Sequence, residues 1–170
     1  THKTLGSWDI LDYGPYNNDG NTPPAYSAYE RFFMGWLEPR LITEPENVTL
    51  GELQSSNEAL LISATDQHNL VGNNPNPTTF YLLENRQQTG WDEHIPGHGM
   101  MLTKVQYNSN KWAKNEVNNK STSMGVDLIE ADGVKPVASV EELYTTCDVI
   151  SLHIPATAET KNSINYKLVN

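Results

Sequence analysis

Cysteine is almost absent from this sequence, because Cys147 is its only thiol. No disulfide can therefore form within the chain. Basic residues are also scarce: 11 Lys and Arg stand against 21 Asp and Glu, which gives a formal net charge of -10. Proteins that bind nucleic acid draw most of their affinity from clustered Lys and Arg. We therefore expect no nucleic-acid partner.

Long hydrophobic runs are missing as well. No apolar stretch approaches the roughly 20 residues that a membrane-spanning helix needs, so we expect no membrane span. The N-terminal residues also lack the charged and then apolar pattern of a secretory signal, and we expect the gene product to begin upstream of Thr1. The apolar content of 37% is nevertheless typical of a globular protein.

A helix is predicted after a first, turn-rich stretch. Residues 1–22 are dense in Gly, Asn, Asp and Tyr, which favour turns. Thr22, followed by Pro23 and Pro24, supplies a candidate helix start, and the helix should end near Gly35. Aromatic side chains recur at helical spacing in between, so we expect a core face rather than a sugar-binding platform. They are Tyr26, Tyr29, Phe32, Phe33 and Trp36.

Short apolar runs separated by turn signals predict strands at residues 48–50, 59–64, 80–83, 100–105 and 126–129. Glu84 and Arg86 lie two apart on one of them and share a face, where a structural ion pair is expected. From residue 134 the pattern changes to an alternation of helix and strand. The predicted fold class is α+β: a helix with antiparallel strands over residues 1–133, followed by a short β/α fragment of Rossmann type over residues 134–170.

The segment GSWDILDYGPYNNDGNTPPAYSAYERFFMGWLEP, residues 6–39, resembles the region after the catalytic helix in immune inhibitor A-like zinc metallopeptidases of peptidase family M-six. FYLLENRQQTGWDEHIPGHGMM at 80–101, then Trp112, NEVNN and VDLIEADG, resemble later parts of that domain in the same order. The resemblance implies that residues 1–133 are the C-terminal part of a domain of a secreted bacterial metalloprotease, a zinc hydrolase. The intact enzyme would act on protein or peptide substrates.

In that family, a helix with the sequence H-E-x-x-H binds zinc, because histidines four residues apart share one helix face. This chain lacks that sequence, so we expect it to be inactive as given, with no catalytic residue and no bound cofactor. The resemblance also implies a loop beneath the missing metal site. Its residues are Asp9, Leu11, Asp12, Tyr13 and Gly14, with Leu11 where the family often has methionine.

Other possible metal ligands are weak. His94 and His98 have the zinc-ligand spacing, but Pro96 and Gly97 prevent a regular helix between them, so we expect no zinc site. Three aspartates near the N-terminus could hold calcium through oxygen ligands. The simpler interpretation is that they cap backbone N–H groups in a turn-rich loop. These are Asp9, Asp12 and Asp19.

The run VEELYTTCDVISLHIPATAETKNSIN, residues 140–165, resembles the NAD-binding domain of D-2-hydroxyacid dehydrogenases, most closely the phosphoglycerate dehydrogenase group. The resemblance implies that His153, Pro155 and Thr157 end a parallel strand near the cofactor. The G-x-G-x-x-G turn that holds the pyrophosphate is absent. We therefore expect this remnant not to bind NAD on its own. Its family implies a cytoplasmic location, whereas residues 1–133 imply secretion or a bacterial cell surface.

The two resemblances belong to unrelated folds and indicate a truncated or chimeric gene, joined near residues 130–134. The main prediction is an inactive fragment of a zinc metalloendopeptidase. One alternative is a non-catalytic binding module on a bacterial surface, which would use the Asn- and Tyr-rich loops. A second alternative is a fragment of an NAD-dependent 2-hydroxyacid dehydrogenase.

Overall fold

The computed structural model describes residues 5–129. The chain divides into two units, Thr1–Glu130 and Ala131–Asn170, and the description concerns the first of them. The helices and strands, in chain order, are α1 (Ala28–Phe33), β1 (Arg40–Ile42), α2 (Leu53–Ser56), β2 (Leu60–Ser63), β3 (Thr79–Arg86), β4 (Gly99–Gln106), α3 (Ser109–Ala113) and β5 (Val126–Leu128). Short 3-10 turns lie at Gly6–Trp8, Gly14–Gly20 and Gly90–Asp92.

The strands form one mixed sheet in the order β1-β2-β3-β4-β5. The two long strands, β3 and β4, pair along their whole length, from Thr79 opposite Gln106 to Arg86 opposite Gly99. All neighbouring pairs are antiparallel except β1 and β2. The connection between those two passes through α2, and such a crossover permits parallel pairing. The α+β prediction is confirmed in this coarse form, while the antiparallel assignment fails for the first pair.

Most predicted strands are confirmed, and one is wrong. The runs at 59–64, 80–83, 100–105 and 126–129 contain or overlap β2, β3, β4 and β5. Residues 48–50 form no strand; instead the Leu50 carbonyl accepts a hydrogen bond from the Asn85 side chain at 3.0 Å. The short strand β1 was not predicted, because three residues are too few to show an alternating pattern.

The core lies between α1 and one face of the sheet. On β3, every second side chain from Phe80 to Arg86 is buried, as the twofold alternation of a strand requires. Helix α1 packs on this face, with the Phe32 ring centroid 5.9 Å from that of Phe80 and the Tyr29 centroid 6.4 Å from it. Burial of these large rings supplies much of the apolar stabilisation, at about 25 cal/mol per Å² removed from water.

Helix α1 begins later than predicted. Ser27, rather than Thr22, is its N-cap: the Ser27 hydroxyl accepts from the Glu30 backbone, and the Glu30 carboxylate accepts from the Ser27 backbone. This reciprocal capping box fixes the start at Ala28. The helix ends before Gly35, whose φ of 74° is the left-handed conformation that glycine adopts readily.

The prediction of one aromatic core face is correct only in part. Tyr29 and Phe32 are buried, and Phe33 is half-buried against the core. Tyr26 and Trp36 lie outside the short helix and are 42% and 54% exposed. Their rings contact each other in an edge-on arrangement at 5.4 Å. The spacing of the aromatic residues from Tyr26 to Trp36 predicted a longer helix, whereas α1 has only six residues.

Candidate functional site

The loop before α1 is a compact set of turns. Gly14 donates its backbone N–H to the Asp9 carbonyl at 3.0 Å, and Tyr13 donates to the Gly6 carbonyl at 3.1 Å. A Cβ added to Gly14 would lie 2.3 Å from the Asp9 carbonyl oxygen. Only glycine therefore allows the chain to pass this closely over itself at that position.

The carboxylates of this loop are engaged with the backbone. Asp9 accepts from the Leu11 N–H at 2.7 Å, and Asp12 accepts from the Gly6 N–H at 2.6 Å. These bonds are the turn-capping role that short acidic side chains commonly play. The third proposed calcium ligand, Asp19, is exposed and has a left-handed backbone. These contacts match the preferred interpretation of the aspartates as capping residues, and the alternative, a calcium site, stays untested.

A buried ionic network positions the start of α1. On β3, Arg86 binds Glu84 at 3.0 Å and Asp92 at 2.6 Å, and all three side chains are almost fully buried. The two carboxylates also accept backbone N–H groups at and just before the helix: Glu84 uses its second oxygen, whereas Asp92 uses Oδ1, which already binds Arg86. Glu84 accepts from the Ala28 N–H at 2.5 Å and Asp92 from the Ala25 N–H at 2.9 Å. Structural ion pairing at Glu84 and Arg86 was expected and is present, with Arg86 paired to both Glu84 and Asp92. The network joins α1 to the sheet.

Glu30 is a buried acid near this network. One carboxylate oxygen, Oε2, accepts from the Ser27 N–H at 2.7 Å. The other, Oε1, is buried and finds no hydrogen-bond partner among the described residues. Burial, and next the nearby charge of Asp9, raise the pKa of Glu30 to about 7. Burial likewise raises the pKa of Asp9.

Glu30 and Asp9 line a cleft with a volume of about 870 Å³. The cleft lies between the N-terminal loop, α1 and the segment that follows β4. Much of its wall is aromatic: the Trp112 ring stands edge-on to that of Tyr29 at 6.3 Å and lies 4.9 Å from that of Tyr107. A largely apolar cleft with a few converging polar groups is the usual form of a small-molecule site.

The structure brings together only part of the predicted loop. Asp9, Leu11 and Asp12 line the cleft, whereas Tyr13 and Gly14 do not. Leu11 is 82% exposed, so it does not pack as a buried methionine would. The dehydrogenase-like residues lie outside the described residues. They are His153, Pro155 and Thr157.

Sequence reasoning missed Glu30, Tyr107 and Trp112 as members of a site. For Glu30 a signal was present, because Ser27 and Glu30 have the Ser-x-x-Glu spacing of a capping box. That spacing places Glu30 in the first turn of a helix but does not reveal the unpaired oxygen. Tyr107 and Trp112 are brought to the cleft by β4 and α3, and no local pattern encodes that long-range approach.

No metal centre is found within residues 5–129, where no group of three or more His, Cys, Asp and Glu side chains could hold an ion. His94 and His98 lie in the irregular segment after Gly90–Asp92, in agreement with the expectation that they form no helix. The described residues therefore do not fit zinc as a resident metal. Within the same range, no helix is long and apolar enough to cross a membrane.

Comparison with known proteins gives one match. No curated protein matches the chain, and no solved structure matches it. Residues 103–170 match the model of the D-isomer specific 2-hydroxyacid dehydrogenase NAD binding domain. This supports the resemblance stated for residues 134–170 but begins well before that boundary, at Thr103 in β4.

The match overturns part of the interpretation of the sequence. It points to a dehydrogenase domain, and the peptidase resemblance of residues 1–133 receives no support. The prediction of a metalloprotease, and with it of a zinc hydrolase, is therefore wrong. The match covers less than half of the chain, so what the comparisons establish is a similarity of residues 103–170 to the NAD-binding domain of D-isomer specific 2-hydroxyacid dehydrogenases.

Proposed function

We propose that the C-terminal part of this chain derives from the NAD-binding domain of a 2-hydroxyacid dehydrogenase. The observation that carries the proposal is the family match over residues 103–170. The sequence supports it, because the apolar run from Val149 to Leu152 is followed directly by His153-Ile154-Pro155. In nucleotide-binding sheets, ligands lie at the carboxyl ends of the strands, so this turn is the segment expected to face NAD.

The described part of the match does not itself supply a nucleotide site. Strands β4 and β5 pair antiparallel, whereas a dinucleotide sits across parallel strands connected by helices. The glycine-rich phosphate turn is also absent from the sequence. The proposed role is therefore a contribution to a cofactor site that needs further sheet strands, and we assign no catalytic residue.

A graft tests this proposal. Residues 134–170 would replace the aligned segment of a complete D-2-hydroxyacid dehydrogenase, and NADH binding would be measured by energy transfer from tryptophan to the nicotinamide ring. We expect the chimera to bind NADH within about tenfold of the parent, a change of about 1.4 kcal/mol. A control graft with the order of residues 149–155 reversed should lose binding.

A folded chimera that fails to bind NADH would contradict the proposal. If the full graft does not fold, a shorter graft of residues 149–157 isolates the strand and the turn. Loss of NADH binding in this folded short graft counts equally against the proposal, because these residues are the ones expected to face the cofactor.

The described residues favour a second candidate, a non-catalytic binding module. The supporting observation is the cleft at Glu30, which has an aromatic wall and acidic groups. The lining of the cleft supports this candidate, because an aromatic wall with converging polar groups is typical of ligand sites. We expect the chain to bind a small molecule saturably. Substitution of residues that line the cleft should abolish this binding.

A further inference from the structure

The cleft at Glu30 has an acidic side with no basic residue in its lining. Asp9, Asp12 and Glu30 all contribute to the wall, and its other residues are neutral. Carboxylates that share a site without a cation repel one another. A positive charge placed among them would therefore be attracted, and an anion would be repelled.

One carboxylate oxygen in this wall lacks a partner. Glu30 is 8% exposed, and its Oε1 atom accepts no hydrogen bond from the described residues. A buried acceptor left unpaired is unfavourable, and more so when it is charged. Because Oε1 is buried, a ligand reaches it only when the Glu30 side chain turns toward the cleft, and an N–H donor on the ligand then satisfies this acceptor.

The rest of the cleft suits an apolar or aromatic body. Tyr29, Tyr107 and Trp112 form a connected group of rings, and Phe33 and Val126 add apolar surface. Aromatic faces also attract organic cations, most strongly where water is excluded. The acidic side of the cleft and its aromatic rings thus both favour a cation attached to an apolar group.

We propose that this cleft binds a protonated primary amine attached to an aromatic or aliphatic body. The assignment rests on the second candidate function, the binding module, and names its ligand class. A primary ammonium group provides the donor that Glu30 Oε1 lacks and offsets the charges of Asp9 and Asp12. A divalent cation fits less well, because the described residues contain no metal-binding cluster of three such side chains.

The experiment uses the full chain and three indole probes that differ in charge. Tryptamine carries the ammonium, 3-methylindole is neutral, and indole-3-propionate is anionic. Binding would be measured by isothermal titration calorimetry at about pH 8, where Glu30 is mostly ionised. We expect one tryptamine site per chain, with an affinity at least about tenfold higher than that of 3-methylindole, and no binding of indole-3-propionate.

Two variants and a control locate the site. Glu30→Gln removes the charge and keeps an oxygen that accepts from the Ser27 N–H. Asp9→Asn removes the charge of the neighbouring acid and keeps an oxygen for the Leu11 N–H. Each should weaken tryptamine binding at least about fivefold, or 1 kcal/mol, and leave 3-methylindole unchanged. Glu38→Gln is the matched control, since Glu38 is exposed and does not line the cleft.

The outcomes test two proposals separately: the ligand class of the cleft, and its function as a binding module. Preference for 3-methylindole or for indole-3-propionate would overturn the amine assignment and retain the module. Equal tryptamine affinity in Glu30→Gln and in the unmodified chain would also overturn the assignment. No binding of any probe, with each variant folded by circular dichroism, would count against both the amine site and the module.

Discussion

Glu30 combines a structural role with an unfavourable position for its charge. It closes the capping box of α1 through Oε2 while Oε1 stays buried and unpaired. The folded-state pKa of about 7 lies above the ordinary value of 4.5. Folding therefore favours the protonated acid, and the ionised form reduces stability.

This shift predicts how stability changes with pH. Because the pKa of Glu30 is raised on folding, its ionisation penalty is absent below about pH 4.5, grows as the pH rises, and is complete above about 7. Glu30→Gln avoids the penalty. We expect the variant to be about 2–3 kcal/mol more stable than the unmodified chain near pH 8, with the difference vanishing near pH 4. Urea unfolding at several pH values measures this.

The control for this prediction is Glu38→Gln, whose side chain is exposed. Its free energy of unfolding should stay within about 0.5 kcal/mol of the unmodified chain at every pH. A Glu30→Gln variant that is less stable than the unmodified chain at pH 8 would show that the ionised carboxylate stabilises the helix start more than its burial costs.

At the scale of single residues, the sequence predicts contacts that depend on short spacing. Glu84 and Arg86 lie two apart on a strand, so strand geometry predicted a shared face and an ion pair there, without naming the partner. The partner Asp92 comes from a separate turn and could not be inferred in this way. The orphan oxygen of Glu30 depends on what packs around the helix, which no local pattern reports.

At the scale of elements, the network around Arg86 is what joins α1 to β3. Arg86 neutralises Glu84 and Asp92, and those two carboxylates in turn accept the Ala28 and Ala25 N–H groups. The free N–H groups at a helix start need such acceptors. The network therefore fixes the position of α1 on the sheet.

Replacing Arg86 with methionine should be severely destabilising. The variant leaves two buried carboxylates without their cation, and breaking a buried ion pair by removing one partner costs about 3–5 kcal/mol. Chemical denaturation measures the loss. The matched control is Arg40→Met, which removes the exposed pair of Arg40 with Glu46 and should cost about 0–1 kcal/mol.

A small effect of Arg86→Met, comparable to that of Arg40→Met, would contradict this prediction. It would show that Glu84 and Asp92 need no cation to hold α1 against the sheet.

Strands with a clear apolar run were predicted, whereas elements defined by packing were not. Strands β2 to β5 follow from alternation and turn signals. The run at residues 48–50 has similar composition but forms no strand. Helix α1 was placed correctly in the chain, yet its start was misjudged because the prolines at 23 and 24 precede the helix instead of opening it.

At the scale of the whole molecule, the family match crosses the boundary that was predicted after residue 133. The match runs from Thr103 in β4 to the C-terminus, while β4 pairs antiparallel with β3. The boundary after residue 133 stays a prediction, as does secretion of residues 1–133.

The full chain is expected not to bind NAD. The sequence contains no G-x-G-x-x-G turn, and such a turn holds the pyrophosphate of the dinucleotide in this kind of domain. A ligand raises the melting temperature only when the folded state binds it. Differential scanning calorimetry with about 1 mM NAD should therefore show no shift, with tryptamine as the positive comparison.

A reproducible rise in melting temperature with NAD would contradict this expectation. It would show that the C-terminal segment completes a nucleotide site using other parts of this chain. AMP and nicotinamide mononucleotide would then identify whether the adenosine half or the nicotinamide half is bound.

The described sheet is tapered, and this has a consequence for self-association. Its inner strands β3 and β4 have eight residues each, but β1 and β5 have three. A long, flat sheet edge offers unpaired backbone groups to other copies of a protein and promotes aggregation. Here one edge is only three residues long and carries the charged Arg40, which is paired with Glu46. Because β1 is short, few unpaired backbone groups at this edge are available for pairing with another chain. Repulsion between chains of net charge -10 opposes such pairing further.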